Sequence, residues 1–336
     1  MSSLDRYRHA LEAEMKQLVG SLDREPTHLY GMLHYHLGWA TETFEPATVD
    51  GGKRIRPAIL LLAAEAQGAD WRHALPAAAA VELLHNFTLI HDDIEDRDMV
   101  RRGRPTLWAL WDIPQAINAG DALFAISYRG IHALSSRGVP ASQVLEALHR
   151  YTEVVIQITE GQCLDLAFES QDVVDEETYL RMIRGKTAAL IGLVAELGGI
   201  IAGAPAPNRD ALRAFGEALG MAFQMQDDLL GLWGNPARTG KPVGSDLRQR
   251  KKTLPILHGM QRSSALRRLI GASTFEESDV PTALRELERT GSQDYTAAQA
   301  HAYHEEAVTA LARSRGTGAA QAALRSLAES LLDRTK

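Results

Sequence analysis

The chain has one cysteine, Cys163, in 336 residues. That excludes an internal disulfide framework and points to a reducing compartment, the cytoplasm. A lone cysteine of this kind is expected as a small buried apolar side chain. Aromatic residues are scarce, at 6%, and stretches of strand-like alternation are missing, which argues against a β-sandwich or barrel. No apolar run is fit to span a bilayer. PAILLLAAEAQ at 57–67 is too short, and AALIGLVAELGGIIAGA at 188–204 carries Glu196 and interior glycines. The N-terminal stretch MSSLDRYRHALEAEMKQL is charged and helix-like and lacks the apolar centre of a signal peptide. Positive charge is not in excess either. A formal net charge of -7 argues against a protein dedicated to nucleic acid, while leaving room for a local basic pocket.

What remains is helical. Ala, Leu, Glu, Arg and Gln dominate, and apolar residues recur at three- and four-residue spacing in 57–68, 77–100, 143–168, 177–202, 209–233 and 295–313. Pro/Gly clusters such as GAPAPN at 203–208 are short enough to be turns between helices. The expectation is an all-α bundle in a single domain, residues 1–336. Bundles build polar sites from side chains on facing helices.

The stretch LIHDDIEDRDMVRRGRPT, residues 89–106, follows an approach, AAAAVELLHNFTLI, too apolar for a surface helix. On one helix Asp92 and Asp96 share a face, and like charges at that spacing repel. A divalent cation removes the conflict. Mg2+ takes oxygen ligands and is usually held by one or two carboxylates plus substrate phosphates. A second acidic pair, Asp227-Asp228, ends another apolar helix in LGMAFQMQDDLLGLWG. Basic clusters lie at GGKRIRP (51–57), RRGRPT (101–106), RGKTAAL (184–190) and GKPVGSDLRQRKKTLP (240–255). Cations beside Mg2+ clamp phosphoryl oxygens and stabilise a negative leaving group, so a diphosphate fits better than a carboxylate substrate.

These motifs, in this order from 51 to 255, resemble the trans-isoprenyl diphosphate synthases, the polyprenyl synthetase family. The resemblance implies an isoprenoid-synthase-type fold around a deep central cavity, usually in a homodimer. It also implies head-to-tail condensation of isopentenyl diphosphate with an allylic diphosphate, dependent on Mg2+, with three ions in the family's pattern. By position, Asp92, Asp96, Asp227 and Asp228 resemble the metal ligands, Asp228 in support of Asp227. Lys53, Arg56, His85 and Arg102 match the isopentenyl diphosphate site. Arg101, Lys186, Lys241 and Lys251 match the allylic diphosphate site, and Thr187 and Gln224 sit where the family places polar groups near the developing cation.

One position departs from the family. Gly231 stands where a third acid of the second motif is usual, and the expectation is that the remaining ligands and Lys241 make it dispensable. GNPARTGKP at 234–242 is no P-loop: the glycine spacing is wrong, Pro242 replaces Ser/Thr, and a helix precedes it. Trp108, Trp111 and Trp233 are expected in the core. His34, His36, His301 and His304 lack a metal-ligand pattern. Phe87, five residues before Asp92, and Thr88, four before, would lie about 6–8 Å below the metal site at ~1.5 Å per residue. Phe87 is expected as the floor for the growing tail. The product expected is geranylgeranyl diphosphate (C20), with farnesyl diphosphate (C15) next. A terpene cyclase of related fold has no use for the isopentenyl set Lys53, Arg56, His85 and Arg102. A non-catalytic partner subunit should have lost the first-motif aspartates; Gly231 alone favours it.

Overall fold

Long runs of Ala and Leu lose little side-chain entropy on entering a helix and offer no polar group to compete with its backbone bonds. The computed structural model describes residues 5–49, 51–169, 171, 174–239, 242–272 and 274–332, and 78% of those residues are helical. The helices are α1 (Asp5–Val19), α2 (Thr27–His36), α3 (Ile55–Ala66), α4 (Trp71–Glu95), α5 (Leu107–Ala133), α6 (Ala141–Glu169), α7 (Glu176–Ile183) and α8 (Ala189–Ile201). Then come α9 (Ala206–Trp233), α10 (Pro236–Thr239), α11 (Ser245–Arg248), α12 (Leu254–Arg262), α13 (Ser264–Ile270), α14 (Val280–Arg289), α15 (Ser292–Arg313) and α16 (Gly318–Leu332). The one sheet among the described residues is an antiparallel hairpin, β1 (Val100–Arg101) and β2 (Arg104–Pro105). The all-α expectation is borne out. No helix among the described residues is long and apolar enough to cross a membrane.

Two compact units emerge: residues 1–149, 197–204 and 317–321 form the first, and residues 150–196, 205–316 and 322–336 the second. The boundaries fall inside α6, α8 and α16. In the first unit, α4 is the central helix. Asp70 caps it by accepting a hydrogen bond from the Arg72 amide at 3.0 Å. Past Arg72 and His73, residues 74–84 are all buried, so along that stretch the helix turns no polar face outward until His85. Small residues let α5 come close: a Cβ added at Gly130 would lie 2.8 Å from that of Ala80. In the second unit, α9 runs beside α15. Tyr179, Met221, Met225, Leu254 and Leu257 bury one core cluster; Leu232, Leu247, Ile256 and Leu266 bury another.

The structure corrects several expectations. The 77–100 helix starts at Trp71 and stops at Glu95, because Arg97 takes a left-handed φ of 56° and the chain turns into the hairpin. The 177–202 helix is broken by a π-turn at Arg184–Ala188. Trp111 and Asp112 (φ 68°) depart from helical geometry and kink α5. Trp111 packs edge-on to Tyr35 at 5.2 Å, as a core residue does. Cys163 is exposed, not buried. On α6 the buried positions are 147, 151, 154, 158, 161 and 168, and the helical period turns 163 away from them.

Candidate active site

The first unit carries the first acidic motif and two basic motifs. Asp92 and Asp96 occupy the last turn of α4, with the Asp96 amide bonded to the Asp92 carbonyl at 2.8 Å. Asp92 is half-buried and Asp96 exposed. Both lie at the negative pole of the helix dipole, so each carboxylate is disfavoured by the other and by the helix. A bound cation would relieve both. Asp93 points elsewhere: it is 1% exposed, and Arg101 Nε donates to its Oδ1 at 2.5 Å. Burial pushes the Asp93 carboxyl up to about 6, against the pull of the Arg101 charge.

The arginines of RRGRPT divide their work. Arg102 (φ 53°) and Gly103 (φ 74°) form the two-residue turn between β1 and β2, both left-handed, as a type I′ hairpin turn requires. Arg102 is thereby held out at the tip, against Gly52 of the GGKRIRP motif, where an added Cβ would meet Arg102 Nη2 at 3.3 Å. Arg104 is structural. It donates to the Tyr35 and Ala40 carbonyls at 2.9 and 2.8 Å and lies 3.8 Å over the Tyr35 ring.

GGKRIRP divides in the same way. Lys53 is exposed, Arg56 half-buried. Arg56 Nη1 lies 3.2 Å from His85 Nε2; since a guanidinium can only donate, that nitrogen is the acceptor and His85 is neutral. Burial, followed by the charges of Arg56 and Arg102, holds the His85 pKa well below its usual value. Lys53, Arg56, His85 and Arg102 all belong to this unit. Arg54 does not join them: it turns into the core, paired with Glu82 and Glu12.

Thr88 donates to the His85 carbonyl at 2.8 Å. Phe87 is half-buried, with the Phe124 ring of α5 at 5.0 Å and His91 at 4.7 Å.

The second unit carries the second acidic motif and the π-turn. That turn presses backbone to backbone against α6: a Cβ at Gly161 would fall on the Lys186 amide nitrogen, and one at Gly185 would lie 2.7 Å from the Gln157 carbonyl. Only two glycines permit this approach. Lys186 Nζ then reaches Asp165 Oδ2 at 2.5 Å. Thr187 donates to Gln224 Oε1 at 3.0 Å, and Gln224 Nε2 donates to Asp228 Oδ1 at 3.2 Å. Asp228 Oδ2 accepts from the Tyr179 hydroxyl and from the Leu254 amide at 3.2 Å. Expected as a metal ligand, Asp228 is instead 2% exposed with both oxygens engaged by protein donors. Burial pushes its carboxyl up to about 7. Asp227 is half-buried and shares a face of α9 with Gln224 and Gly231. Lys251 is exposed; Lys241 lies outside the described residues.

Among the described residues, no three His, Cys, Asp or Glu side chains converge to hold an ion. Taken unit by unit, the Asp92–Asp96 pair on α4 and, separately, Asp227 on α9 each suit a hard cation that keeps most of its shell for water and substrate oxygens, as Mg2+ does.

A sequence model of polyprenyl synthetases matches residues 38–287. The chain belongs to the polyprenyl synthetase family. This synthase is 42% identical over 323 residues to a (2E,6E)-farnesyl diphosphate synthase of Mycobacterium bovis, covering 93% of this chain and 88% of that one. A geranylgeranyl diphosphate synthase of Mycobacterium tuberculosis is 43% identical over 261 residues, 78% of this chain and 73% of the relative. Among solved structures, a polyprenyl synthetase from Streptomyces coelicolor A3(2) superposes with a TM-score of 0.89 at 35% identity, covering 98% of both chains. The synthase is thus a prenyltransferase with the all-α isoprenoid synthase fold. Prenyl synthases use isopentenyl and allylic diphosphates, and the family is generally Mg2+-dependent.

Asp93, Asp165, Tyr179 and Phe124 escaped the sequence reading. Only Asp93 left a signal: on α4 it lies one residue, about 100°, off the Asp92–Asp96 face, and an arginine pair follows within ten residues.

Proposed function

We propose that the protein is a Mg2+-dependent short-chain trans-prenyltransferase that condenses isopentenyl diphosphate with allylic diphosphates to geranylgeranyl diphosphate. The observation that carries this reading is the set Lys53, Arg56, His85 and Arg102 within one unit. It provides three cations and a neutral imidazole for a second diphosphate, which a terpene cyclase has no use for.

In this reading the chain is a single synthase domain, residues 1–336. Bound Mg2+ supplies positive charge against the allylic diphosphate oxygens. Arg101, Lys186, Lys241 and Lys251 hold that diphosphate. Its C1–O bond breaks with the electron pair leaving on diphosphate, and Thr187 and Gln224 present oxygens toward the allylic cation. The isopentenyl double bond supplies the electron pair of the new carbon–carbon bond, and a proton from the isopentenyl unit passes to the departing diphosphate. No side chain has to be a strong base; the protein's part is fixed charge and exclusion of water.

Phe87 as the floor supports the twenty-carbon product. The Phe124 ring beside it favours a second reading, the fifteen-carbon farnesyl diphosphate, because two adjacent rings close the path higher than one. A cytoplasmic homodimer completes the proposal. Ile113 and Ile117, one turn apart on α5 and 46% and 40% exposed, are apolar surface that a second copy could cover; light scattering of the purified chain tests that.

The deciding experiment mixes the protein with isopentenyl diphosphate and dimethylallyl, geranyl or farnesyl diphosphate, with and without Mg2+. Mg2+-dependent elongation to one length is the expected result. Allylic diphosphate consumed without isopentenyl incorporation would establish a cyclase, and no turnover with any primer a partner subunit.

A further inference from the structure

The family's usual third acid of the second motif is Gly231 here, yet the space above its Cα is not empty. A Cβ added there would fall on the carboxylate of Asp246, with Oδ1 2.7 Å away and Oδ2 and Cγ closer still. The carboxylate is pinned there from both sides. Before it, the Gly244 amide donates to the Leu232 carbonyl at 3.0 Å, and the Ser245 hydroxyl donates to the Gly231 carbonyl at 3.0 Å. After it, Leu247 is 1% exposed in the cluster that also buries Leu232. The Asp246 carbonyl in turn accepts from the Lys251 amide at 2.9 Å. Asp246 itself is 8% exposed. The segment is thus zipped along the end of α9 with its acid where residue 231 would begin a side chain, one helical turn from Asp227.

We propose that Asp246 supplies, from the segment after α9, the third carboxylate of the second acidic motif, and that residue 231 is glycine because that carboxylate occupies its side-chain space. The proposal rests on reading the chain as a Mg2+-dependent prenyltransferase. Asp246 is a positioning residue: it adds negative charge beside Asp227 and, through its carbonyl, sets the start of the segment that carries Lys251. The missing acid is therefore supplied from elsewhere in the chain.

The test is a swap read by metal binding as well as by activity. Mn2+ binding in the presence of inorganic pyrophosphate is followed by electron paramagnetic resonance for the full chain and its variants, with thermal melting alongside. Asp246→Asn keeps the packing and removes the charge; Mn2+ affinity should fall about 10–100-fold, the usual cost of losing an outer partner of a metal site. Gly231→Asp alone should lower the melting temperature, because two carboxylates compete for one space. The double variant Gly231→Asp/Asp246→Ala should regain most of the affinity, and Gly231→Asn/Asp246→Ala, which refills the space without charge, should not. Unchanged affinity in Asp246→Asn, or no recovery in the acid-bearing double variant over the amide-bearing one, overturns the inference while condensation by the unsubstituted chain keeps the enzymatic reading. Absence of Mg2+-dependent condensation by the unsubstituted chain overturns both.

Discussion

Arg54 Nη1 stands 2.6 Å from Glu82 Oε1, and both side chains are 5% exposed. The guanidinium also reaches Glu12 at 2.9 Å. A motif of three cations therefore contains one that has no part in ligand binding, although its neighbours on either side face the proposed isopentenyl diphosphate site. Breaking a buried pair from one side strands the other charge, at about 3–5 kcal/mol. Arg54→Ala should lose stability of that order in urea unfolding. Lys53→Ala should leave the unfolding midpoint unmoved and raise KM for isopentenyl diphosphate. Equal effects of the two substitutions on stability would refute this division.

Tyr179 and Asp228 join a chain of hydrogen bonds running Thr187, Gln224, Asp228, Tyr179. Tyr179→Phe keeps the ring and deletes one donor to a carboxylate that water does not reach. The expected cost is about 1–3 kcal/mol. Because Gln224 is oriented by the same carboxylate, kcat should fall more than KM rises. A stability loss with unchanged kcat would limit Tyr179 to packing.

Stability should depend on pH through two groups of opposite sign. Burial, followed by the charges of Arg102 and Arg101, lowers the His36 pKa from 6.5 to about 3. Between those values the unfolded chain binds the extra proton, so this contribution is present above pH 6.5 and lost as pH falls toward 3. Asp228 is raised from 3.8 to about 7. Here the folded chain holds the extra proton, so the contribution is complete below pH 3.8 and lost as pH rises through 7. For metal-free protein, His36→Gln should flatten the acid limb by up to about 1.4 kcal/mol per pH unit, and Asp228→Asn should remove a slope of opposite sign. Urea unfolding from pH 4 to 8 reads both. Slopes of the same sign would contradict the burial of one of them.

What was legible in the sequence was whatever depends on period and order. The apolar approach to Asp92, the i, i+4 spacing of Asp92 and Asp96, and the basic clusters between helices all follow from local rules. Features that need a second segment were not legible. Arg54 and Arg56 are two residues apart and chemically alike, and only the placement of Glu82 and Glu12 separates them. The π-turn at 184–188 depends on Gly161 meeting Gly185 across α6. Asp246 stands within a basic run, yet nothing local shows that its carboxylate lies over Gly231.

Product length rests on Phe87 and its neighbour. The two rings, 5.0 Å apart and tilted by 37°, come from different helices, α4 and α5. Removing Phe87 opens space of one aromatic side chain but leaves Phe124 to tip into it, since a partly collapsed cavity costs less than an open one. Phe87→Ala should therefore lengthen the product distribution modestly, by about one isoprene unit's worth of space, a side chain for a side chain. Phe87→Ala/Phe124→Ala should lengthen it further. Thr88→Phe, by contrast, should shorten it by adding bulk on the same turn. The measurement is chromatography of the dephosphorylated products from farnesyl diphosphate and excess isopentenyl diphosphate. If the double variant yields the same lengths as the unsubstituted enzyme, the tail runs past neither ring, and the floor belongs to other residues.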